Sequence, residues 1–169
     1  MKPNPKLQLA VKRNNRKQHL SEFSRVLGVS TGWDYSALTK LDLKEALALS
    51  AKIPRVIKDY RYRNILDSSC GLEGSAFLTK IDQYLQIAID TNCWVILCNY
   101  EYMGAFSVDL SEFLKKGRSL LEMDKDTVWA VNESVSNGIM LDFYIDPLEG
   151  GGGYEISTWG DKWFGRKIN

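Results

Sequence analysis

Apolar positions recur at two spacings along this chain, and the spacing changes near its middle. Across residues 75–91, Phe77, Ile81, Leu85 and Ala88 return at intervals of four, four and three, with Tyr84 beside them, which predicts a helix with one buried face. Asn92 then offers a residue suited to a left-handed helix end. Upstream, Leu20, Phe23, Val26 and Leu27 share a helical face, with Gly28 placed to stop that helix. Asp42 can cap a second helix while Glu45 reaches back to it, ahead of Leu43, Ala46 and Leu47. Residues 55–65, where Arg55, Lys58, Arg61 and Arg63 interleave with Tyr60 and Tyr62, suggest another.

From Cys93 the pattern becomes that of strands. Residues 93–98 form an unbroken apolar run, as in a strand covered on both faces, and 102–108 follow as its neighbour across a turn near Gly104. Asp109 and Glu112 read as a second capping box before Phe113 and Leu114, with Gly117 ending that short helix. Residues 127–132 and 139–145 flank Asn137-Gly138, a dipeptide suited to a tight hairpin. Along the second of these strands Ile139, Leu141, Phe143 and Ile145 share one face, and Met140, Asp142 and Tyr144 the other. A glycine-rich loop, 146–153, leads into a last strand at 154–159. The expected fold is therefore α+β: N-terminal helices followed by a mainly antiparallel sheet of about five strands.

Composition places the chain among ordinary globular proteins, with 44% hydrophobic and 25% charged residues. Its 169 residues suit one domain, which at this size buries roughly 70% of the surface its unfolded chain exposes. The exception is residues 1–18, with two prolines, six basic residues and no acidic one, a composition expected to form a flexible basic arm. Residues 19–169 are then a single domain, helical over 19–91 and sheet-rich over 92–169. The longest apolar run is far shorter than the roughly 20 residues of a membrane-spanning helix. No apolar signal core follows the first lysines, so the expected location is cytoplasmic, without membrane contact.

Charge adds what the fold pattern does not. The net charge is +1, yet residues 1–63 hold 14 Lys and Arg against 5 Asp and Glu, and residues 64–169 hold 8 against 16. Such a split bears on partners rather than topology.

Catalytic chemistry is sparse. Cys70, Cys93 and Cys98 cannot all pair within one chain and are expected as free thiols. Cys93 and Cys98 fall on opposite faces of their strand and cannot share a metal. The one histidine, His19, stands at a helix entrance beside the arm. Gly150 to Gly153 lack the Gly-Lys-Ser/Thr ending and following helix of a phosphate loop. Asp124 with Asp126, and Asp142 with Asp146, read as turn and strand-end residues. No catalytic, cofactor or metal site is expected, and the chain is read as non-enzymatic; a hydrolase would require a cleft joining Asp142, Glu155 and Asp161.

Two binding readings remain. The basic half, through Arg13, Arg16, Lys17, Arg55, Lys58, Arg61 and Arg63, could contact nucleic-acid phosphates. Residues 23–30 resemble the centre of a helix-turn-helix, with Ser24 four positions before Gly28, although Gly32, Trp33 and Asp34 break the recognition helix such motifs need. Alternatively, the acidic half presents carboxylates in aromatic company, the mixture found at protein interfaces. The candidate contacts are Asp142, Tyr144, Glu149, Glu155, Trp159, Asp161 and Trp163. A competing arrangement has a helix covering Met140, Tyr144 and Trp159 with the acids at its rim.

The closing stretch, Asp142-Phe143-Tyr144 followed by Tyr154-Glu155-Ile156-Ser157-Thr158-Trp159-Gly160 and Trp163, resembles the tail of small immunity proteins from bacterial toxin systems, including contact-dependent inhibition. That resemblance implies a cytoplasmic, non-enzymatic protein that binds one cognate toxin domain and blocks its active site or substrate path. Apart from the resemblance, a nuclease is an attractive partner, because nucleic-acid sites are basic and an acidic patch would compete for them.

Overall fold

The computed structural model describes residues 5–53, 65–145, 152–160 and 162–164. Among them are four α-helices and seven strands: α1 (Pro5–Thr31), β1 (Thr39–Lys40), α2 (Leu43–Ser50), β2 (Ile65–Leu72), α3 (Gly74–Ile87), β3 (Asn92–Leu97), β4 (Phe106–Asp109), α4 (Leu110–Asp124), β5 (Thr127–Val131), β6 (Gly138–Ile145) and β7 (Gly152–Trp159). A short 3₁₀ turn, Glu101–Met103, joins β3 to β4. The strands form one antiparallel sheet in the order β1-β4-β3-β5-β6-β7-β2. The fold is α+β, with seven strands instead of about five. The two additional strands, β1 and β2, lie within the stretch expected to be helical. Neither carries an apolar alternation: β1 is two residues long, and in β2 Ser68 and Ser69 are held extended by pairing with Ser157 and Ile156 of β7, ahead of a register shift between Ser69 and Leu72.

Both sheet faces are covered. On one, α1, α3 and α4 bury a core that includes Phe23, Phe77, Phe113, Val95, Leu97, Leu141 and Ile156. On the other, Ala46 and Leu49 of α2, with Ile53, close over Ile96, Val131, Met140 and Trp159. The capping box expected at Asp42 forms: its side chain accepts from the Glu45 N–H at 2.8 Å, and Glu45 Oε2 accepts from the Asp42 N–H at 3.2 Å. That cap matters beyond its own helix, because α2 is the lid of the second core.

Several local expectations are corrected. Residues 5–18, expected as an arm, are the first half of α1, whose 27 residues span about 40 Å at 1.5 Å each. Pro5 occupies the first helical position, where its missing N–H costs nothing, and the Lys, Leu, Gln, Ala and Arg that follow are strong helix formers. Lys12 forms an ion pair with Glu101, and Arg16 lies beside the Tyr35 hydroxyl, tying this half to the body of the fold. Gly28 does not stop the helix. The chain continues to Thr31 and turns at Gly32, whose φ of +79° a side chain would resist, while the Gly32 N–H donates to the Gly28 carbonyl at 2.8 Å. Residues 23–30 are thus uninterrupted helix, and the helix-turn-helix reading is removed.

Asn92 is not a left-handed cap but the first residue of β3; α3 ends at Ile87, followed by extended Ala88. Asp109 stands at the start of α4 without a side-chain capping bond, and Glu112 binds Lys115 instead. Gly117 lies inside α4 rather than at its end, because a Cβ there would come 2.6 Å from Leu141 Cδ1: the glycine permits close approach of helix and sheet. The hairpin of β5 and β6 forms, yet Val131 pairs with Gly138, so the connection is six residues, 132–137, rather than an Asn-Gly turn. Val135 adopts φ +59° and buries its side chain in the second core, which overrides the local turn preference.

Candidate functional site

The pleat of β6 sends Met140, Asp142 and Tyr144 to the face that α2 covers. The covering is partial. Met140 and its neighbour Trp159 are buried under α2, Asp142 is half-buried, and Tyr144 is exposed. The register fixes what lies across from each: Thr127 opposes Asp142 on one side, Glu155 opposes it on the other, and Tyr144 faces Gly153. Two carboxylates directly opposed on neighbouring strands repel each other.

Among the described residues, hydroxyls rather than cations serve these carboxylates. Thr127 Oγ1 lies 2.9 Å from Asp142 Oδ1 and 3.0 Å from Asp126 Oδ1, and its single proton can be given to one of them at a time. Ser157 Oγ donates to Glu155 Oε1 at 3.0 Å and lies 3.0 Å from Ser68 Oγ. The ion pairs among the described residues, Lys12–Glu101, Lys115–Glu112 and Arg118–Glu122, leave out Asp126, Asp142 and Glu155. An acidic row with an exposed tyrosine at its end therefore faces outward from the strand ends that α2 does not reach.

The expected contact residues divide into three groups. Asp142, Tyr144 and Glu155 come together as described. Trp159 and Trp163 do not join them, because both are core residues. Trp159 is 2% exposed and donates its indole N–H to the Val135 carbonyl at 2.9 Å; Trp163 lies in the other core. An indole so placed offers a partner nothing to touch. Glu149 and Asp161 lie outside the described residues, as do Arg55, Lys58, Arg61 and Arg63. The competing arrangement is thus half realised: a helix covers Met140 and Trp159 but not Tyr144.

On the basic side, Arg13, Arg16 and Lys17 follow one another along α1. Arg16 is engaged with Tyr35, whereas Lys6, Arg13 and Lys17 line one side of a groove of about 400 Å³ together with Leu9, Ala10 and Asn14. Lys12 of the basic half pairs with Glu101 of the acidic half.

The thiols are unpaired: Cys70 is exposed, Cys93 buried, and Cys98 intermediate. Burial, then Asp126, Asp124 and Glu101, push the Cys98 thiol up to about 11. Burial raises Cys93 further, and its Sγ donates to the Val108 carbonyl at 3.5 Å. His19 meets Tyr102 edge-on, with ring centroids 6.0 Å apart. No group of three or more His, Cys, Asp or Glu with metal-binding geometry occurs among the described residues.

Asp124, expected in a turn, is instead the buried last residue of α4, and desolvation lifts its carboxyl to about 7 against the opposing pull of the Asn99 backbone N–H. The signal was available: Asp124 continues the apolar stripe of Leu110, Phe113, Leu114, Gly117, Leu120 and Leu121 at helical spacing. Comparison with family models, curated proteins and solved structures found no match to this chain.

Proposed function

We propose that this chain is a protein-binding inhibitor, in the manner of the immunity proteins of bacterial toxin systems, and that the outward face of β6 and β7 is its contact surface. The observation that carries the reading is the directly opposed Asp142 and Glu155 beside exposed Tyr144. Such a pair costs the isolated fold some stability, and a basic partner would convert that cost into attraction. Tyrosine supplies rigid contact area at low entropic expense. A nuclease fits as partner because its substrate site is basic, and occlusion of that site would be steric and electrostatic. A cytoplasmic, non-enzymatic role belongs to the same reading.

Co-expression with the toxin domain encoded beside the gene tests it. The expected result is copurification and rescue of growth, with both lost in the triple variant Asp142→Asn, Glu155→Gln, Tyr144→Ala. A toxin domain that neither binds nor is neutralised removes the reading.

A second reading, nucleic-acid binding, is favoured by one feature: Lys6, Arg13 and Lys17 line one groove along α1. Phosphate contacts of this kind release counterions, so binding to duplex or single-stranded oligonucleotides would weaken steeply with salt. Absence of binding at low ionic strength discards it.

A further inference from the structure

The opposite sheet face carries a separate feature. Where α4 ends, a cavity of about 570 Å³ opens over β6 and β7, lined by Leu121, Glu122, Lys125, Phe143 and Tyr154. That volume lies within the range of small-molecule sites, which combine apolar walls with a few polar groups that orient the ligand. The aromatic floor is held in place: Tyr154 stacks on Phe77 with ring centroids 4.5 Å apart and meets Phe143 at 5.1 Å. Both Phe143 and Tyr154 keep part of their rings accessible.

The rim is polar and asymmetric. Glu122 is occupied by Arg118, whose Nε donates to Glu122 Oε1 at 2.8 Å. Lys125 takes part in none of the ion pairs among the described residues and has an exposed side chain. Its backbone is pinned at φ +59°, with its N–H donating to the Leu121 carbonyl at 2.7 Å, so the lysine always leaves the helix end in the same direction. An apolar, aromatic-floored cavity with one uncommitted cation at its mouth matches a flat apolar body carrying one negative charge.

We infer that this cavity binds a small aryl carboxylate, with its ring system against Phe143 and Tyr154 and its carboxylate on Lys125. The site lies across the sheet from the face proposed for protein contact, and neither depends on the other.

Titration of the full chain with 2-naphthoate, followed by two-dimensional NMR, tests this, with naphthalene-2-carboxamide as the uncharged comparator. Saturable 2-naphthoate binding is expected, with shifts confined to residues around 121–125, 143 and 154. Lys125→Asn keeps a residue that accepts the left-handed helix end. It should weaken naphthoate by about tenfold, the loss of one charge-assisted contact, and leave the carboxamide unchanged. Lys125→Gln provides a second neutral variant if the first disturbs the helix end. No saturable naphthoate binding, or equal naphthoate affinity in the wild type and both neutral variants, overturns the inference.

Discussion

Asn99 and Asp124 hold each other twice: the Asn99 backbone N–H donates to Asp124 Oδ1 at 3.0 Å, and Asn99 Nδ2 donates to the Asp124 carbonyl oxygen at 2.7 Å. The end of α4 is thereby fastened to the loop after β3. The second carboxyl oxygen, Oδ2, is buried without a partner among the described residues. Burial first, and Asp126 in addition, favour the neutral acid and lift its pKa to about 7.

A stability profile with a defined sign follows. An acid whose folded pKa lies above its unfolded value binds a proton more tightly when folded. Its contribution is fully present below the unfolded value near 3.8 and is lost as pH rises toward 7. At 1.36 kcal/mol per pKa unit the loss is on the order of 4 kcal/mol. Denaturant unfolding of the wild type at pH 5 and pH 8 should show lower stability at pH 8. Asp124→Asn, which keeps the acceptor for Asn99 but cannot ionise, should remove most of that difference. Equal pH dependence in the two proteins would exclude Asp124 as its source.

Two of the three aromatic residues expected at one surface, Trp159 and Tyr144, separate by the cost of their removal. Trp159 is enclosed by α2 and the 132–137 loop, so Trp159→Ala should cost about 3–5 kcal/mol through cavity formation and an orphaned Val135 carbonyl. Tyr144→Ala, at an exposed position, should stay within about 0.5 kcal/mol of wild type. Thermal unfolding of both variants decides it, and a stable Trp159→Ala would contradict the placement of that indole.

The sequence pattern revealed most where burial and period agree. Phe77, Ile81 and Tyr84 define α3, the unbroken run of β3 is covered on both sides, and the Asp42–Glu45 capping box forms as read. It failed where partners distant in sequence decide. Residues 5–18 looked unable to bury surface because Glu101 and Tyr35, which engage Lys12 and Arg16, lie elsewhere in the chain. Gly117 resembled a stop, since its true reason is Leu141 in another element. The candidate face was legible in part: strand alternation placed Asp142 with Tyr144 and suggested Glu155, but only the position of α2 shows that Trp159 is hidden and Tyr144 is not.

Relief of like-charge repulsion should be measurable at the candidate face. Asp142 and Glu155 are direct cross-strand partners, so Asp142→Asn or Glu155→Gln should raise stability by about 0.2–1 kcal/mol at low salt. The gain should shrink as salt screens the pair. The double variant should gain less than the sum of the singles, since either removal already ends the repulsion. Destabilisation by both single variants would mean that the carboxylates serve the fold through Thr127 and Ser157, and would weaken the case for a partner.

Thiol labelling reads the enclosure of β3 by a second route. Alkylation at pH 8 depends on access and on the thiolate fraction, and the three cysteines differ in both. Cys70 is exposed and should react first. Cys98 is half-accessible, but its pKa near 11 leaves few thiolates at pH 8, so it should lag well behind. Cys93 is buried in the α1–α3–α4 core and should react only when the chain opens. Mass spectrometry of timed samples should therefore show one fast label, then one slow label, with the third appearing only in denaturant. Early labelling of Cys93 would mean that β3 is not enclosed. Replacing Asp126 with Asn should accelerate Cys98 selectively, because it removes the largest carboxylate influence on that thiol while leaving the surroundings of Cys70 and Cys93 unchanged.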